Sequence, residues 1–151
     1  MEHEAPDTSA ELKARALRHL VRREHSRAEL ARKLAPHAES PEALQAVLDL
    51  LLSKKQLSDE RFAEERARVL SRKYGAARIR HDLKARGVSG DISSRVSGKL
   101  NELESAKAIL ARKYREPANN REERAKRARF LQGRGFSYEV IRAAMADLPE
   151  G

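Results

Sequence analysis

Few side chains in this sequence could do covalent or metal chemistry. With no cysteine, disulfides, thiol catalysis and cysteine-based zinc sites are all excluded, which fits a reducing compartment. The five histidines, His3, His19, His25, His37 and His81, lie scattered beside charged residues, and no two share a helical face with a carboxylate. Each is therefore expected as a solvated surface group. Ser26, Ser58 and Ser137 stand where helices need N-caps, which leaves no nucleophile to assign. Tyr74, Tyr114 and Tyr138 fall at helix ends among apolar neighbours and are expected to pack. No Walker-type phosphate loop, dinucleotide-binding glycine turn or H-E-x-x-H helix occurs. The reading is a protein that is not an enzyme and takes no cofactor or metal.

What remains is positive charge. The chain carries +9, unevenly distributed: residues 11–34, 61–86 and 107–134 carry +18 between them, and everything else −9. Concentrated cations attract polyanions or acidic protein surfaces and speed encounter. The candidate contact residues are Arg22, Arg23 and Arg27, then Arg66, Arg72, Arg78 and Arg80, then Arg124, Arg127 and Arg134.

These three basic spans must be positioned by helices. Aromatic residues make up 4% of the chain and charged ones 36%, the profile of surface-rich helices with thin cores. The stretch from Ser58 to Gly87 shows the pattern. Ser58 is an N-cap with Leu57 and Phe62 in staple positions, and Phe62, Ala63, Arg66, Val69 and Leu70 recur at helical steps. Tyr74-Gly75 ends that helix; a second runs from Ala76 to Arg86 through Ile79 and Leu83 and stops at Gly87. Upstream, Leu12, Ala16, Leu17, Leu20 and Val21 define a helix over Glu11 to Arg23. Ser26 and Glu29 form a capping box for the next, and Ser40-Pro41 opens a third, most apolar helix from Glu42 to Lys54. That third helix is expected to supply core between the first two units. Downstream, a weak Ser- and Gly-rich helix over Val88 to Leu100 is followed by helices over Leu103 to Arg115, Arg121 to Gln132, and one capped by Ser137.

Shifting the chain by 49 and then 48 residues aligns Ala14, Ala63 and Ala111; Leu34, Leu83 and Leu131; Val47, Val96 and Ala144; and Leu51, Leu100 and Leu148. Arg86-Gly87-Val88 also matches Arg134-Gly135-Phe136. The fold expected is all-α: three tandem three-helix, helix-turn-helix-like repeats over 10–56, 57–101 and 102–149, after a flexible tail over 1–9. They are expected to form an elongated, curved stack with thin apolar seams between neighbours. No apolar run is long enough for a membrane span and no signal peptide opens the chain, so a cytoplasmic protein is expected. A monomer is expected as well.

Three motifs carry a likeness to a known family. They are Ala16-Leu17-x-x-Leu20-x-x-Arg23-x-x-Ser26-x-x-Glu29-Leu30-x-x-Lys33-Leu34, then Leu57-Ser58-Asp59-Glu60-Arg61-Phe62-Ala63, then Phe130-Leu131-x-x-Arg134-Gly135-Phe136-Ser137-Tyr138-x-Val140-Ile141. In this order and spacing the sequence resembles the RecX family of bacterial recombination regulators, with Gln132-Gly133 standing where basic residues are frequent. The resemblance implies tandem three-helix repeats and a modulator that binds the RecA–DNA filament along its groove and restrains ATP hydrolysis, strand exchange and coprotease action in recombination, repair and the SOS response. Two rivals stay open on the residues alone: a helix-turn-helix protein that binds single- or double-stranded DNA through phosphates, and an adaptor docking on an acidic protein.

Overall fold

Local signals punctuate the chain as the sequence suggests. The computed structural model describes residues 5–146. Among them are nine α-helices and no strand: α1 (Ser9–Arg22), α2 (Arg27–Leu34), α3 (Pro41–Ser53), α4 (Asp59–Leu70), α5 (Ala76–Ala85), α6 (Gly90–Gly98), α7 (Glu102–Lys113), α8 (Arg121–Gly133) and α9 (Tyr138–Ala146). Capping boxes open α1 at Thr8 and Glu11 and α2 at Ser26 and Glu29. Side-chain caps from Ser40, Ser58, Ser89, Asn101, Asn120 and Ser137 open α3, α4, α6, α7, α8 and α9. Each satisfies a backbone N–H that the helix itself leaves without a partner. Gly87 and Gly135 take φ of 88° and 94°, the left-handed stop that a Cβ disfavours. Pro36 ends α2 in a 3-10 turn over Ala35–His37.

The helices pack in threes, α1 to α3, α4 to α6 and α7 to α9, three three-helix domains in tandem. Every domain has its own core. The first is built on Leu12, Ala16, Leu30, Leu34, Leu44, Val47, Leu48, Leu51 and Leu57. Phe62, Ala63, Ala67, Ile79, Leu83, Val88 and Val96 make the second; Ala106, Ile109, Leu110, Leu131, Phe136, Ile141, Ala144 and Met145 make the third.

This corrects several expectations. The apolar face of α3 lies in the first core and not between domains, and Leu57 joins that core while its expected staple partner Phe62 joins the next. Val21 and Val69, counted as inward by period, are 86% and 46% exposed. The first-helix register also slips. Ala14 and Ala111 are exposed, and the residue that occupies the place of fully buried Ala63 is Ala106. In the third domain the slip arises because the loop before α8 is two residues longer than that before α5, and α8 itself three residues longer than α5. Of the expected loose tail, residues 1–4 lie outside the described residues; Asp7 is held by Arg15 at 2.7 Å and through its N–H by the His37 carbonyl at 2.8 Å. Leu148 also lies outside the described residues.

The joints between domains are polar and nearly repeat each other. The N–H of Arg27, first residue of α2, donates to Asp59 Oδ1 at 2.7 Å, and Asp59 is the first residue of α4. One domain later, the N–H of Ala76, first residue of α5, donates to Glu102 Oε2 at 2.9 Å, and Glu102 is the first residue of α7. A second pair accompanies the first. Ser26 Oγ donates to the Arg86 carbonyl at 2.8 Å, and the Gly75 N–H donates to the Arg134 carbonyl at 2.8 Å. Each time, the start of a second helix docks on the acidic first turn and the left-handed turn of the next domain. Helix α5 has no side-chain cap of its own, and the next domain provides the acceptor. A Cβ at Gly75 would sit 2.5 Å from the Gly135 carbonyl oxygen, so that close approach requires glycine.

Candidate functional site

The ten candidate arginines divide by what holds them. Arg23 pairs with Glu29 at 3.0 Å, and Arg27 bonds Asp49 and Gln45, each at 2.7 Å. Arg66 grips Asp82 with two bonds of 2.8 and 3.0 Å. Burial pushes the Asp82 carboxyl up, but the Arg66 hydrogen bonds, with Arg86 nearby, outweigh it and leave the group below the ordinary carboxylate range. Arg127 is only 5% exposed; it donates to the Glu116 carbonyl at 2.8 Å and lies 4.4 Å from the Tyr114 ring centre. Arg124 donates to the Met145 carbonyl at 3.2 Å. Arg22 is exposed and Arg80 half-buried, neither with a carboxylate partner among the described residues.

Arg72, Arg78 and Arg134 come together at the joint between the second and third domains. Arg78 lies 4.1 Å from the Tyr74 ring centre and donates to the Gly133 carbonyl at 3.3 Å. Arg134 lies 5.6 Å from Tyr74 and 5.0 Å from Phe130, and donates to the Lys73 carbonyl at 3.4 Å. Arg112 donates to the Arg72 carbonyl, and Lys113 sits 4.5 Å above Phe130. Together Arg72, Lys73, Arg112, Lys113 and Arg134 surround a cleft of about 510 Å³ whose other walls are Tyr74, Ile109 and Phe130. No carboxylate lines it. Sequence reasoning missed Lys73, Arg112 and Lys113. The signal for them was present: Arg-Lys-Tyr occurs twice, at 72–74 and 112–114, both times where a first helix ends.

The joint between the first and second domains is different in kind. A smaller cleft of about 280 Å³ is walled there by Arg23, Glu24, Phe62, Glu65, Arg66, Val69 and Arg86. Both signs of charge meet around an exposed valine. Arg61 reaches across to Glu24 at 3.0 Å, and Arg86 comes within 3.6 Å of Glu29.

The histidines need one correction. His81 is exposed and His19 and His37 are half-buried, but His25 is 1% exposed, and His3 lies outside the described residues. The His25 Nδ1–H donates to the Arg23 carbonyl at 3.1 Å, and its Nε2 accepts from Lys33 Nζ at 2.9 Å. Burial, with the charges of Arg23 and Lys33, holds its pKa below the ordinary imidazole value, so it stays neutral. Its loop is threaded between α1 and α2, and a ring there completes the polar joint that an apolar residue would leave unsatisfied. Among the described residues no group of His, Asp or Glu could hold a metal ion, and no helix is long and apolar enough to cross a membrane.

Comparison with known proteins places this architecture. Models of the first, second and third three-helix domains of RecX match residues 13–51, 58–96 and 101–145. The chain is 45% identical to the regulatory protein RecX of Ralstonia nicotianae over 138 residues, 90% of this chain and 87% of that one. It is 43% identical to the regulatory protein RecX of Herbaspirillum seropedicae over 141 residues, 92% of each chain. In three dimensions it resembles the crystal structure of RecX from Lactobacillus salivarius, with a TM-score of 0.80 at 18% identity, covering 92% of this chain and 95% of that one. At that identity the likeness speaks to the fold.

Proposed function

The chain belongs to the RecX family of regulatory proteins, and from that premise we propose that it binds the RecA–DNA filament and restrains RecA's ATPase, strand-exchange and coprotease activities. The observation that carries this reading is the family likeness over all three domains. The physics beside it is compatible. Three small cores joined by polar joints make an array in which each domain leans on the next. An elongated, curved stack of that kind, acting as a monomer in the cytoplasm, can touch several protomers of a helical filament. Modest contacts spread over linked modules give avidity without a deep pocket.

The two clefts divide the work. The mixed-charge cleft around Val69 suits a protein surface, where an apolar centre is ringed by charges of both signs. Arg22, Arg72, Arg78, Arg80 and Arg134 are the candidate arginines that face the filament and its DNA, and Arg124 is held within its own domain by the Met145 carbonyl. Arg23, Arg27, Arg66 and Arg127 are held by their own domains or joints and shape the surface that carries the others. The test is a titration into RecA filaments on DNA, RecA alone and bare DNA at several salt concentrations. Tight, moderately salt-sensitive binding to the filament with a falling ATPase rate is the expected result. Binding to bare DNA as tight as to the filament, with RecA's ATPase untouched, would leave a DNA-binding protein in place of a filament regulator.

A further inference from the structure

The cation cleft between the second and third domains combines three observations. Five positive side chains surround it and no negative one lines it, whereas Glu24 and Glu65 line the cleft at the other joint. Like charges gathered around one cleft raise the local potential and draw an anion to it. Second, two of the guanidinium groups are pinned before any ligand arrives. Arg112 is held by the Arg72 carbonyl; Arg134 is held by the Lys73 carbonyl and lies over two rings. A pinned guanidinium loses little freedom on binding and keeps free N–H groups for a forked contact with phosphate. Third, the cleft has no apolar anchor for a protein partner. The large exposed apolar residues, Val21, Leu50, Val69 and Tyr138, all lie elsewhere, and Ile109 in its wall is 5% exposed.

We propose that this cleft binds the sugar–phosphate backbone of a single DNA strand, independently of base sequence, through Arg72, Lys73, Arg112, Lys113 and Arg134. A cleft of about 510 Å³ takes in a few consecutive phosphates of one strand. The faces of Tyr74 and Phe130 are already covered by Arg78, Arg134 and Lys113, so bases do not stack there and the contacts are to phosphate. The strand would span the joint, touching the ends of α4 and α7 at once. The filament reading enters only in the choice of nucleic acid over other polyanions.

The experiment measures fluorescence anisotropy of labelled single-stranded oligonucleotides on the full chain across a salt series. With five phosphate contacts the log–log salt slope should be roughly −3.5. The double variant Arg72→Gln/Lys73→Gln should weaken binding at least about ten-fold and make the slope shallower by about 1.4. The equally neutralised control Lys126→Gln/Arg129→Gln, on an exposed part of α8, should stay within about two-fold. Both are checked for unchanged helicity and melting. Equal losses in the two variants, an unchanged slope, a strong preference among homopolymers, tighter duplex binding through the same pair, or displacement by polyglutamate at matched charge would each overturn the proposal. RecA inhibition is measured in parallel on the same samples. Oligonucleotide binding that depends on the cleft without any effect on RecA sinks the filament reading alone; inhibition that persists without such dependence sinks the cleft alone.

Discussion

Replacing Glu102 by alanine tests whether the joints, more than the cores, couple the domains. The Glu102 carboxylate holds the Ala76 N–H at 2.9 Å from a residue 26 positions away. A hydrogen bond to a charged group contributes about 1.5–3 kcal/mol, and because Glu102 is only partly buried the lower end applies, about 1.5 kcal/mol. At about 1.4 kcal/mol per decade, exchange of the Ala76 amide with deuterium should accelerate about ten-fold. The partner variant Asp59→Ala should do the same to the Arg27 amide, which Asp59 holds at 2.7 Å. Each variant should leave the other joint's amide unmoved, because sites without shared partners act independently. Amide-resolved exchange by NMR reads both positions in one sample. Unchanged exchange at Ala76 in Glu102→Ala, or equal acceleration at both joints in either variant, would refute the claim that each second helix is capped by the domain that follows it.

Leu83→Ala empties a fully buried position of the second core and should cost about 3 kcal/mol in urea unfolding, whereas exposed Lys84→Ala should stay within about 0.5 kcal/mol. Lys55 holds φ of 60° without being glycine, so Lys55→Gly should stabilise the end of α3 by about 0.5–1 kcal/mol, read as a higher melting temperature. His25 is neutral when folded and has a depressed pKa, so the unfolded chain binds more protons below the ordinary imidazole value of about 6.5. Stability should therefore fall as pH drops from about 6.5 towards the folded pKa, and His25→Gln should flatten that part of the profile in pH-stepped melts.

Much of this architecture was legible locally. Ser26, Ser40, Ser58 and Ser137 cap helices because a hydroxyl two or three residues from a free N–H needs nothing else nearby. Gly87 and Gly135 stop helices because left-handed backbone excludes a Cβ. Leu34, Leu83 and Leu131 align at equivalent places and are all fully buried, since helical period alone brings them to the inner face. The family likeness rests on the same short-range patterns. Period does not say how wide the inner face is, so it puts Val21 and Val69 inside although neighbouring positions fill the cores first. Nor could it place His25 or Arg127, polar groups drawn inward by carbonyls and rings that other segments bring to them.

Where helices start and stop, their grouping in threes, and the gathering of positive charge on the first two of each three are all written in short stretches of the chain. Those properties depend on backbone groups and side chains within about one turn of each other. That the joints are polar, that some arginines are paired or buried, and that two Arg-Lys pairs 40 residues apart share one cleft without a carboxylate emerges from the docked domains alone. The reason is distance along the chain: Ala76 meets Glu102, and Arg112 meets Arg72, only when separate domains have folded and docked.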